Sequence, residues 1–178
     1  MSVSRTIRLG VTATALVALL SGCTTENQTT PPEASSTTGT SASTAASRSM
    51  SEAEAAVAKI PGAEFEAARA WDGTTAYVIA TLSVTDAFSG DPAVLIDYSL
   101  AQLSSQSEVD RGRLVRFSFK GPGQTPKTTK ALLTALSIDS APYAGGSSLE
   151  LANQDLDDRY GRWPAAVPDP PASLITKD

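Results

Sequence analysis

Apolar residues recur at helical spacing just after Met50, where Ala53, Ala56, Val57 and Ile60 fall on one face. Ser51 with Glu54 three residues on has the form of a capping box, and Pro61-Gly62 closes the segment, so the pattern predicts a helix. The period then changes to two. Ala63, Phe65, Ala67 and Trp71 lie on one parity, and Val78, Ala80, Leu82 and Val84 share another in a run rich in β-formers. Asp72-Gly73 between them is a two-residue hairpin signal. With that loop Trp71 faces Thr74, Ala67 faces Val78, Phe65 faces Ala80 and Ala63 faces Leu82. The apolar sets then share a face, with Glu64 opposite Thr81 and Glu66 opposite Ile79 on the other.

Asp91-Pro92 reads as an N-cap followed by proline at the first helical position. The helix it opens carries Ile96, Leu100 and Leu103, widened by Leu95 and Ser99, and should end near Gln106. Residues 113–120 alternate again, with Val115, Phe117 and Phe119 inward, up to Gly121-Pro122-Gly123. Thr125-Pro126 starts a third helix with Leu132, Leu133 and Leu136. Residues 147–153 admit a strand or a capped helix; the shared parity of Leu149 and Leu151 favours the strand. From Trp163 onward four prolines predict an extended, mobile tail. The order α-β-β-α-β-α-β predicts an α+β fold: a small sandwich of one mostly antiparallel sheet with helices on one face.

The first five elements, residues 51–120, follow the order of BON domains, small bacterial envelope modules, which they resemble in topology alone. The glycine-centred turn and strand motif of those domains is not evident here. That resemblance implies an envelope setting and transfers no residue role.

Upstream of the fold the chain reads as an address. Arg5 and Arg8 precede the uncharged apolar run Leu9 to Leu20, which is shorter than the ~20 residues of a comfortable membrane span. It ends Leu20-Ser21-Gly22-Cys23, which resembles the lipobox of bacterial lipoproteins. The resemblance covers residues 1–23. It implies lipid transfer to the Cys23 thiol, cleavage after Gly22, and a diacylglycerol anchor on the extracytoplasmic face of the cell membrane. Two acyl chains anchor stably at ~0.8 kcal/mol per buried methylene. Next, 14 of the 26 residues from Thr24 to Ser49 are Ser or Thr, with no large apolar side chain, a composition that predicts a disordered tether. Its r.m.s. span is ~30 Å by flexible-linker scaling. The expected organisation is a signal peptide at 1–22, a lipidated Cys23 and tether at 23–49, an α+β domain at 50–160 and the tail at 161–178.

Composition narrows the chemistry. The chain has 178 residues, 14 basic against 19 acidic for a net charge of −5, and that balance argues against nucleic-acid binding. Histidine is absent, which removes the commonest general base and transition-metal ligand. The single cysteine, Cys23, rules out intramolecular disulfides and Cys-rich metal sites. No Gly-x-Ser-x-Gly elbow or phosphate-loop spacing occurs. A Ser–Lys pair would need Lys59, Lys120, Lys127 or Lys130. Glu64 and Glu66 stand ~7 Å apart on one strand face, a spacing any solvated outer face shares. Asp155, Asp157 and Asp158 lack an EF-hand's glycine and terminal glutamate, and read as a solvated turn.

Neither metal nor cofactor is implied. Arg111, Arg113, Arg116 and Lys120 gather at one strand, where pairing with Glu64 and Glu66 is the plain expectation. Arg116, Lys120 and Trp71 are the candidates for an outer-face binding surface. The reading is a non-catalytic binding or scaffold lipoprotein facing another envelope component. The alternative is an extracytoplasmic hydrolase using carboxylates or a Ser–Lys pair.

Overall fold

A computed structural model describes residues 48–143 and 145–175. Its elements are α1 (Met50–Val57), β1 (Ala63–Asp72), β2 (Thr75–Val84), α2 (Pro92–Ser104), β3 (Leu114–Lys120), α3 (Pro126–Ala135), β4 (Ser140–Pro142), β5 (Leu149–Ala152), α4 (Asn153–Tyr160) and α5 (Ala172–Ile175). The strands form one sheet in the order β1-β2-β3-β5-β4, antiparallel except for the β2–β3 pair. The protein is α+β, with its helices packed against a mostly antiparallel sheet. The expected signal peptide, lipidated Cys23 and nearly all of the tether lie outside the described residues.

Helix α2 fills the middle. Leu95, Ile96, Tyr98, Ser99, Leu100, Gln102, Leu103 and Ser104 are all buried in it. The sequence suggested a stripe, but a helix with a single charge is apolar nearly all round and goes inside. It touches α1, α3 and α4, and its Leu and Ile side chains meet Phe65, Val78, Ala80, Leu82, Val115, Phe117, Phe119, Leu149 and Leu151 from one face of the sheet in a single core. Its start is as expected: Asp91 accepts a hydrogen bond from the Ala93 amide at 2.8 Å, ahead of Pro92. Asp97, its one charged residue, accepts from Arg159 Nε at 2.6 Å and from the Tyr160 hydroxyl at 2.8 Å, which fastens α4 over it.

Two local expectations are corrected. The cap of α1 is Ser49, not Ser51: Ser49 Oγ accepts from the Glu52 amide, and Glu52 accepts from the Ser49 amide. Two capping boxes compete in Ser49-Met50-Ser51-Glu52-Ala53-Glu54. The first wins because it buries Met50, and because Glu54 is taken elsewhere, accepting from the Ala67 amide on edge strand β1 at 2.8 Å. The fold therefore begins before residue 50. The Ser107 amide donates to Arg48 O at 2.8 Å, the Arg48 amide donates to Ser107 Oγ at 3.0 Å, and the Met50 amide donates to Glu108 at 2.7 Å.

The hairpin slips by two residues. Asp72 pairs with Thr75, so Gly73-Thr74 is the loop, and Phe65 faces Leu82, Ala67 faces Ala80 and Ala63 faces Val84. Glu66 faces Thr81 and Glu64 faces Ser83. An even slip preserves every face. Gly73 has φ +58° and Thr74 is not in the left-handed region, which matches the type II′ pattern rather than type I′. A type I′ turn on Asp72-Gly73 would have needed a positive φ at Asp72.

The C-terminal third departs most from expectation. The strand at 147–153 is present as β5, but Asp155, Asp157 and Asp158 lie on helix α4, not in a turn. β4 and α5 were not anticipated. The described part of the tail has no helix or strand from 161 to 171 and then forms α5, and it is held by contacts. The Ala165 amide donates to Ser104 O at 2.8 Å, Gln102 Nε2 donates to Pro168 O at 3.2 Å, and Leu174 is buried.

Two predictions follow from the caps and the hairpin. Ser49→Ala should cost about 1 kcal/mol of stability, as loss of a capping hydroxyl does, whereas Ser51→Ala should cost little. In urea denaturation Ala80→Asp should be the most damaging hairpin change, because Ala80 has no exposed surface. Gly73→Val should cost about 1–3 kcal/mol for its positive φ. Thr81→Asp, outward and opposite Glu66, should be the mildest.

Candidate functional site

The sheet's second face carries no helix among the described residues. Its outward positions include Glu64, Glu66, Ile79, Thr81, Arg116, Ser118, Lys120 and Glu150. The expected pairing of the strand's cations with Glu64 and Glu66 does not form. β3 lies beside β2, and Arg116 is level with Ile79 and Lys120 with Ser83. The two glutamates on β1 are a further strand away, ~10 Å from β3 by two interstrand spacings.

Arg116 finds aromatic partners instead. Its guanidinium carbon is 3.8 Å from the Tyr77 ring centre and 3.3 Å from that of Tyr143, and its Nη1 donates to the Tyr77 hydroxyl at 2.8 Å. Tyr77 comes from β2. Tyr143 follows β4, and its amide is held by Ser148 O at 3.0 Å. The arginine is thus flanked from both sides of its strand, and only 13% of its side chain stays exposed. Close packing of the 110–113 turn against β2 supports the arrangement. Gly112 sits at φ +66° with the Ala76 carbonyl where a Cβ would stand, and Arg113 N donates to Ala76 O at 2.9 Å.

The charge of Arg116 is poorly compensated. Its one ion-pair partner among the described residues is Asp72, at 3.9 Å and 75% exposed, beyond hydrogen-bond range. Glu150 is directly opposite on β5 but forms no ion pair with it among the described residues. Arg116 Nε is enclosed without a hydrogen-bond partner among the described residues. Around the guanidinium opens a mostly polar cavity of about 210 Å³, whose walls include Asp72, Thr75, Tyr77, Arg113, Tyr143 and Glu150.

The other two candidates do not join it. Lys120 is exposed at the far end of β3. Trp71 is level with Ala76, on the opposite parity to Arg116, and is 59% exposed at the hairpin tip with Arg69 stacked on it at 4.7 Å. Sequence reasoning missed Tyr77 and Tyr143. Outward parity on β2 was a usable signal for Tyr77; nothing local marked Tyr143.

A larger groove of about 510 Å³ lies at β4, beside α3, and holds both Lys130 and Ser140. Lys130 is exposed and Ser140 Oγ has no hydrogen-bond partner among the described residues, so the two are not hydrogen-bonded as a nucleophile–base pair. The three aspartates of α4 diverge. Asp155 accepts from the Asp139 amide at 3.1 Å, Asp158 from Gln154 at 2.7 Å, and Asp157 pairs with both Nη atoms of Arg111 at 2.6 and 2.5 Å. No group of three metal-ligating side chains occurs among the described residues.

The Arg111 hydrogen bonds hold the Asp157 carboxyl below the ordinary carboxylate range. Burial, reinforced by Asp97, pushes the Tyr160 phenol far above its usual value, so it remains a donor to that carboxylate.

Comparison with known protein families, curated proteins and solved structures yields no match. No helix among the described residues is long and apolar enough to cross a membrane.

A depressed carboxylate contributes stability above its unfolded pKa of about 4, and that contribution is lost as pH falls through the lower folded value. Asp157→Asn should therefore lower stability at neutral pH and reduce its loss on acidification below about pH 5. Urea midpoints measured across that range in both proteins check it.

Proposed function

We propose that the protein is a membrane-anchored, extracytoplasmic lipoprotein whose α+β domain is a non-catalytic binding module of the cell envelope. The observation that carries the anchoring is the run Leu20-Ser21-Gly22-Cys23 at the end of an uncharged apolar segment, with the chain's single cysteine at its close. Removing Arg5 and Arg8 leaves 12 basic residues against 19 acidic, a balance of −7. Such a domain is repelled by anionic headgroups and projects from them on its tether. The membrane is thus reached through the diacylglycerol group, and the partner is a further envelope component.

Binding rather than catalysis is supported by the kind of site present. The open sheet face holds a partly enclosed arginine beside a small polar cavity, with no nucleophile hydrogen-bonded to a base there. Outer-face binding centres on Arg116, while Lys120 and Trp71 lie apart from it. The topological likeness of residues 51–120 to BON domains agrees with an envelope module and adds no residue role.

Cys23→Ala should release the protein from membranes or leave it as an unprocessed precursor. Metabolic labelling with a fatty-acid analogue is the check. The wild type should take up label and the variant should not; an unlabelled wild type would contradict the lipoprotein reading.

A further inference from the structure

The geometry points to the Arg116 cavity as a binding site for a monocarboxylate that carries a hydrogen-bond donor beside its carboxylate. This rests on reading the open face as a binding surface and is independent of the lipid anchor.

The donors come first. Arg116 is held in place by Tyr77 and Tyr143, and its Nη1 is committed to the Tyr77 oxygen. Nη2 pairs with Asp72 at 3.9 Å and with no closer acceptor among the described residues, and water competes well for a carboxylate that is 75% exposed. The Tyr77 oxygen accepts from Arg116, so its own proton is free to donate, and a cationic donor makes it a stronger one. Arg113 and Thr75 line the same cavity with no hydrogen-bond partner for their side chains among the described residues. A carboxylate fits this set, with one oxygen on Nη2 in place of Asp72 and the other on the Tyr77 hydroxyl. A desolvated guanidinium without a close counter-charge is unfavourable, and a bound anion relieves that.

The walls then select among anions. Two guanidinium groups, Arg113 and Arg116, face two carboxylates, Asp72 and Glu150. A single negative charge is tolerated in that balance, whereas a phosphate near two charges meets both acids. Glu150 stands opposite Arg116 with no ion pair among the described residues, and it can accept from an ammonium, amide N–H or hydroxyl next to the ligand carboxylate. The cavity of about 210 Å³ is below the ~300 Å³ of drug-sized sites, so the occupant is small or is the end of a longer chain.

Four probes separate the sources of that chemistry. Glycine stands for a free amino acid, N-acetylglycine for a peptide C-terminus and glycolate for a hydroxy or sugar acid; inorganic phosphate is the counter-test. The enclosed Arg116 Nε–H is the reporter, followed by ¹⁵N NMR on the full-length chain in dodecyl maltoside. At least one carboxylate should shift that signal saturably and more tightly than acetate, which lacks the second donor, and more tightly than phosphate. Asp72→Asn, which removes the competing carboxylate, should tighten binding several-fold. Tyr77→Phe keeps the ring but loses the hydroxyl, and should weaken binding about tenfold, the loss of roughly 1.4 kcal/mol.

The proposal is overturned if no carboxylate gives a saturable shift in either the wild type or Asp72→Asn. It is equally overturned if phosphate binds more tightly than every carboxylate, or if Asp72→Asn abolishes binding. Fatty-acid labelling of Cys23 without carboxylate binding would overturn this inference and leave the anchor untouched.

Discussion

The burial of α2 is the constraint on which the other elements depend. A helix with one charge in thirteen residues, Asp97, cannot lie on a surface. It needs cover on almost every side. The sheet's apolar face supplies one wall, and α1, α3 and α4 supply others. The tail adds the last strip, accepting the Gln102 side chain at Pro168 and donating to the Ser104 carbonyl from Ala165. Even Asp97 contributes, because its partly exposed carboxylate accepts from Arg159 and Tyr160 and so ties α4 down. The helix also connects β2 to β3 and makes them parallel neighbours. That one parallel pair decides what stands next to what on the opposite face.

The candidate site follows from this strand order. Because β3 adjoins β2, Arg116 cannot reach the glutamates of β1; its outward neighbour on β2 is Ile79, which offers no charge, and Glu150 opposite it on β5 forms no ion pair with it among the described residues. It turns to Tyr77 and Tyr143, which supply quadrupole attraction but no counter-charge. The result is a cation held rigidly and left short of an anion, on a sheet face that no helix covers among the described residues. Both edges of the sheet are blunted. Glu54 caps a free amide of β1, and β4 is three residues long and ends in proline. Strand addition at an edge is thereby disfavoured, and the open face is the more available surface.

The fold was legible as far as periodicity and capping reach. α1, β1, β2, α2, β3, α3 and β5 all carry alternating or helical apolar patterns, and the core-facing parity of the strands was assigned correctly even where the hairpin register slipped by two, while the stripe read on α2 was too narrow. α4 was not legible because Asn153–Tyr160 buries only Leu156 and has no side-chain cap. It is helical because Asp97 and Arg111 hold its outer residues, and those partners are distant in sequence. β4 is too short for alternation to show. The docking of the tail depends on Leu174, whose niche beside Phe88 and Gly90 is assembled only in the fold. At the site, Arg116 stood out by charge and parity, but its surroundings depended on the parallel pairing of β2 with β3. Two strands were assumed to be neighbours, and a third lay between them.

The most direct test of this account is native-state hydrogen exchange. If every other element packs around α2, the amides from Ser99 to Ser104 should be among the slowest in the protein. Their opening free energy should equal the global unfolding free energy from urea denaturation. Exchange of these amides through a cheaper opening, while the β1–β2 hairpin remains protected, would show that the sheet stands without α2 and would contradict its central place.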